Sequence, residues 1–227
     1  MAEQKTNVFP DTLREIVELD EYLARVQTSL AHKDRLWRKA GKTDAAYVST
    51  ALRARVIEMR TVYRRDMERM GLEIPIVQSA LGVSGVGLLS FLRLAVHIRI
   101  DRADSPASLW RYCGVGLHQG RPDRYVRLSL SAPGMLSFSP AANLAAVAIA
   151  KSLFLKGRPY NPVFWQEYQR QLGNGMTRAI ATRRGKRYAL KLWLKHLWLV
   201  WRRQDGLPVG VPHENDTTYL AVPYGWL

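Results

Sequence analysis

Cysteine is almost absent from this chain: Cys113 is the only one in 227 residues. A lone thiol excludes an internal disulfide framework and is the usage expected in a reducing cytoplasm. The histidines at 32, 97, 118, 196 and 213 stand apart, with no cysteine or histidine at ligand spacing, which argues against zinc. No glycine-rich loop ends in Lys-Ser or Lys-Thr, so no nucleotide P-loop is present. Long apolar runs are missing too. The longest, Ala141 to Leu155, is interrupted by Asn143 and Lys151 and is too short to span a bilayer. Met1 to Asn7 is polar and lacks the apolar core of a secretory signal. The expectation is a soluble cytoplasmic chain with no membrane partner.

Negative charge is the remaining shortage. Asp and Glu number 19 against 34 Lys and Arg, a formal net charge of +15. Such an excess favours nucleic acid, an anionic membrane surface or an acidic protein as partner. The hydrophobic content of 47% is enough for a substantial core, so the chain is not a disordered basic tail.

The apolar spacing predicts a mostly α fold. From Asp11 to Lys39, Ile16, Leu19, Leu23, Val26, Leu30 and Trp37 follow the alternating three-and-four spacing of a coiled-coil seam. Gly41 ends that helix, and a second runs from about Asp44 to Met70, with Leu52, Val56, Met59, Tyr63, Met67 and Met70 on one side. A short link between two long helices predicts an antiparallel hairpin over residues 1–73. Arg53, Arg55, Arg60, Arg64, Arg65 and Arg69 on the second helix form either a solvated face or a grip on a polyanion.

A compact helical domain is expected over residues 74–205. It opens with a short helix, the turn Gly82-Val83-Ser84-Gly85-Val86-Gly87, and a second helix bearing Leu88, Leu89, Phe91, Leu92 and Ala95. This looks like a helix-hairpin-helix. Exposed turn amides and the positive end of a helix dipole make an anion site, so Gly82, Ser84, Gly85, Val86 and Gly87 are candidate phosphate contacts. The competing reading is a glycine-rich turn between two core helices. Further helices are expected from Ser105-Pro106, over Ala141–Leu155 and over Phe164–Leu172, with Pro159 to Pro162 read as a turn. Residues 114 to 134 read as loop with a short strand or hairpin at Tyr125 to Leu130.

The last large helix is predicted from Thr177 to Arg203. Leu190, Trp193, Leu194, Leu197, Trp198 and Trp201 form a broad apolar face, and the tryptophans are assigned to packing. Arg183, Arg184, Lys186, Arg187, Lys191 and Lys195 accompany them, and no acidic residue occurs between Glu167 and Asp205. Unbalanced positive charge on an ordered helix repels itself, and an anionic partner relieves that repulsion. Residues 206–227 read as an extended tail.

The order of these blocks resembles a known family. "LEIPIVQSALGVSGVGLLSFL" (72–92), "SPASLWRYCGVG" (105–116), "NLAAVAIAKSLF" (143–154), "YNPVFWQEYQRQLG" (160–173) and the closing basic helix (181–208) succeed one another. That succession is similar to the C-terminal half of insertion-sequence transposases that join an N-terminal RuvC-like domain to a helix-hairpin-helix domain. The resemblance implies DNA binding in transposition or recombination, a structured guide RNA, and oligomer assembly through the coiled coil. In that family the acidic tetrad and its divalent metal belong to the RuvC-like domain, which is expected to be missing here. No metal or cofactor is expected, and a separate RuvC-like partner would supply that half. The family's nucleophilic serine stands in a Ser-Gly motif. Arg121 to Leu128 holds no serine at that place, and Ser129 and Ser131 just beyond precede no glycine. These two serines, near Arg121, Arg124 and Arg127, are the candidate nucleophiles.

Three functions follow as expectations: a DNA-binding, transposase-like protein; a non-catalytic nucleic-acid-binding or scaffold protein derived from one; or a helical adaptor for an acidic protein. Asp101, Asp104 and Asp123 are candidate metal ligands against the alternative of salt-bridge partners, Asp101 with Arg99.

Overall fold

Between Asp11 and Lys39 the sequence has neither proline nor glycine, and the chain forms one helix there, α1 (Asp11–Lys39). After Ala40 to Lys42 comes α2 (Thr43–Gly71). The computed structural model describes residues 9–118, 121–122, 138–156 and 159–209, and these are mostly α. They divide into two compact units, Phe9–Leu72 and the part from Glu73 onward.

In the first unit α2 runs back along α1. Arg38 reaches Thr50, Ser49 Oγ donates to the Leu30 carbonyl at 2.9 Å, and Arg60 Nε donates to Asp20 at 2.8 Å. The buried line on α1 is Leu13, Val17, Asp20 and Leu23, and on α2 it includes Ala46, Ser49, Val56 and Met67. The expected register is therefore corrected: Leu19, Leu52 and Met59 are exposed. An apolar-only reading skips Asp20, and with it the line that is buried. Arg60 belongs to that seam rather than to a solvated face, since it donates to both Asp20 and Gln27.

The second unit runs α3 (Pro75–Leu81), α4 (Leu88–Ala95), a single 3-10 turn (Ile100–Arg102), α5 (Pro106–Tyr112), α6 (Pro140–Lys156), α7 (Tyr160–Gly173) and α8 (Arg178–Gln204). A two-residue antiparallel ladder, Leu117–His118 with Arg121–Pro122, is the only strand pairing among the described residues. Proline at the first helical position starts α3 and α5, where its missing N–H is not needed. Ser105 Oγ caps α5 by accepting from the Ser108 amide, and Thr177 caps α8 through the Ile180 amide. The expected turn at 159–162 is corrected. α7 already begins at Tyr160, because Pro162 falls in the first turn, where it is tolerated.

α8 is the axis of this unit. From Trp193 to Arg202 nearly every residue is buried, as expected of a helix enclosed on all sides. Trp193 meets Phe91 of α4 edge-on, centroids 6.3 Å apart, a geometry that adds about 0.5–1.5 kcal/mol beyond area burial. Trp198 Nε1 donates to the Ala103 carbonyl at 2.6 Å. Arg202, itself buried, donates to the carbonyls of Ile100, Ala103 and Pro208. The C-terminal half of α8 is thereby fixed, and its N-terminal half, against α6 and α7, carries the exposed basic residues.

Candidate functional site

Gly185 sits in the middle of the basic run, and its lack of a side chain brings α7 and α8 together. A Cβ there would come within 2.9 Å of the Phe164 ring and 3.0 Å of the Phe164 carbonyl oxygen. With the helices this close, the flanking cations are divided between two clefts. Helical spacing puts Arg183, Lys186, Arg187 and Leu190 on one side, and Arg184, Arg187, Tyr188 and Lys191 on the other.

The first cleft, about 210 Å³, lies between α6 and α8. Its buried apolar floor is Val115, Ala150 and Leu190; its rim is Asn143, Val147, Lys151, Arg183, Lys186 and Arg187. No carboxylate lines it among the described residues. Lys186 Nζ stands 4.6 Å from the centre of the Phe154 ring, which holds the ammonium by cation–π attraction. Asn143 donates to the Cys113 carbonyl at 2.7 Å, tying α6 to the end of α5. Cys113 is fully buried, and burial pushes its thiol pKa well up, so the sulfur is a packing atom and not a nucleophile.

The second cleft, about 420 Å³, lies between α7 and α8 and adds Glu167, Arg170 and Gln171 to the α8 residues. Glu167 is buried and accepts from Arg170 at 2.8 and 2.9 Å and from Gln171 at 2.7 Å. Burial alone raises its pKa, but the hydrogen bonds from Arg170 and Gln171, aided by the charges of Arg170 and Arg184, bring it below the usual glutamate range. Arg184 in turn donates to Gln171 Oε1 at 2.6 Å. Lys191 Nζ stands 4.5 Å from the centre of the Trp110 ring, and Trp110 Nε1 donates to the Lys191 carbonyl. No protein-family model, curated protein or solved structure matches this chain. The site therefore stands on its own geometry.

Of the basic residues expected from the sequence, Arg183, Lys186 and Arg187 meet in the first cleft, and Arg184, Arg187 and Lys191 in the second. Lys195 lines neither. Lys151 and Asn143 are additions. They share one face of α6 with Val147 and Ala150 at helical spacing, and a polar pair on one face of an otherwise apolar helix was the available signal.

The glycine-rich turn is a separate place. Gly82, Ser84 and Gly87 are exposed, Gly85 is half-buried, and Val83 and Val86 point into the core. Gly85 has φ +92, which only glycine adopts without strain. α4 follows with no side-chain cap and no acidic residue in its first turn. Ser79, just before the turn, accepts from Gln204 at the far end of α8. At 1.5 Å per residue that end is about 25 Å along the helix from Arg187, so turn and basic clefts are not one site.

Ser129, Ser131 and the strand expected at Tyr125 to Leu130 lie outside the described residues, as does Asp123. Asp101 pairs with Arg99 at 3.0 Å, and Asp104 accepts from Ser108 Oγ. Among the described residues no three metal-ligating side chains gather, and no helix is long and apolar enough to cross a membrane.

Proposed function

We propose that this chain is a DNA-binding, transposase-like protein, corresponding to the C-terminal half of the RuvC-like insertion-sequence recombinases it resembles. The observation that carries the reading is the convergence of Lys151, Arg183, Lys186 and Arg187, from two helices, on a cleft that no carboxylate lines among the described residues. Four like charges around one space repel one another, and a polyanion relieves that repulsion. Backbone phosphates are the polyanion such a rim suits, and contacts of this kind give affinity without sequence preference.

The α3–α4 turn is a second phosphate contact in this reading, as a helix-hairpin-helix, using the amides at Gly87 and the start of α4. The α1–α2 hairpin is the oligomerising coiled coil, and a structured RNA and a RuvC-like partner chain join through the same resemblance. Strand transfer is not assigned to any described residue. The test is the affinity for duplex and single-stranded DNA across a range of salt, with the four cleft cations replaced singly and together.

A further inference from the structure

On top of that reading, we infer that the polynucleotide is single-stranded where it crosses α8, with one base stacked on Tyr188 and the adjoining phosphate at Arg187. Arg187 lines both clefts, so it marks the ridge that a strand passing from one to the other must cross. Tyr188, the next residue, is 53% exposed and faces the α7–α8 cleft. Arg184 and Lys191 lie four before and three after it, on the same side of the helix.

An aromatic ring left in the open between cations is the arrangement on which unpaired bases stack while their phosphates follow the charges. Duplex DNA has no base face to offer, because its bases are stacked on one another. Glu167, the one carboxylate that lines the cleft among the described residues, does not oppose a phosphate. It is buried and occupied by Arg170 and Gln171. Lys191 and Arg184 are held in place by Trp110 and Gln171, so little side-chain freedom is lost when a strand arrives. The cleft of about 420 Å³ admits a base beside the ring.

The experiment compares fluorescently labelled oligodeoxyuridylate, oligouridylate and a duplex of equal length on the intact chain, with heparin as a polyanion that has no bases. Tyr188→Ala and Tyr188→Phe are read alongside. Both single strands should bind more tightly than duplex at matched salt, and the tighter of the two names the sugar. Tyr188→Ala should weaken single-strand binding roughly tenfold and leave duplex and heparin binding unchanged, while Tyr188→Phe retains it. Single-strand binding that Tyr188→Ala does not move, or an equal loss on heparin, overturns the inference and leaves the proposed function standing. Failure to bind any of the polynucleotides overturns both.

Discussion

Asp20 and Arg60, forty residues apart, are joined inside the α1–α2 hairpin: the carboxylate is fully buried and takes Arg60 Nε at 2.8 Å. Arg64 Nε stands 3.7 Å from the same carboxylate oxygen. This buried charge pair sets which residues of the two helices face each other, since any slip leaves Asp20 without its partner.

Asp20→Ala should therefore cost the first unit about 3–5 kcal/mol, because Arg60 keeps its charge and loses its carboxylate, with the neutral Gln27 side chain as its remaining acceptor. A double Asp20→Leu, Arg60→Met change should cost far less, or nothing. Urea unfolding followed by circular dichroism measures both. If the single and double variants are equally destabilised, the pair is not what fixes the register.

Much of the fold was legible because its signals are local. The ends of α1, the start of α5 and the two ends of α8 lie within a residue of where proline and apolar spacing place them. The hairpin register was not legible, because apolar periodicity treats Asp20 as surface. What buries it is Arg60, a residue whose partner is known only once the chain has turned back. The start of α7 was missed for the opposite reason: Pro162 is a strong local signal with two meanings, turn or first helical turn.

The candidate site was half legible. The cations of α8 stand out in sequence, but Gly185 reads as a weak point in a helix until Phe164 of α7 is known to lie against it. Lys151 was visible only as an interruption of an apolar run. Sequence order could not show that the glycine-rich turn and the basic run are far apart, since Ser79 and Gln204 meet only in the folded chain.

The turn has a clean test at Gly87 and a poor one at Gly85. Gly85 has φ +92, so any replacement strains the backbone whatever its effect on binding. Gly87 is extended at φ −89, and a Cβ there meets nothing within 4 Å. Gly87→Leu should leave the far-UV spectrum and melting unchanged and weaken DNA binding roughly tenfold, the worth of one charge-assisted hydrogen bond. Unchanged affinity returns the turn to a purely structural role.

Acid should weaken the Glu167–Arg170–Gln171 network of α7. The folded pKa of Glu167 lies below the ordinary glutamate value of 4.5. A lowered carboxylate contributes stability that is present above that ordinary value and is lost as pH falls through the folded one. Wild type should thus melt higher than Glu167→Gln at neutral pH, and the gap should close as the pH is taken below about 4.5. A gap that stays constant into acid would mean that the ionised carboxylate contributes nothing to holding Arg170 and Gln171.

The most direct measurement of the central claim is the salt dependence of DNA affinity with and without the α6–α8 cations. Wild type should give a steep negative log–log slope. Replacing Lys151, Arg183, Lys186 and Arg187 with glutamine should flatten it by about 0.9 for each phosphate no longer neutralised on duplex, or about 0.7 on single strands. Weakening should be uniform across sequences. A slope identical in wild type and the fourfold variant, or binding that salt does not touch, would contradict the account.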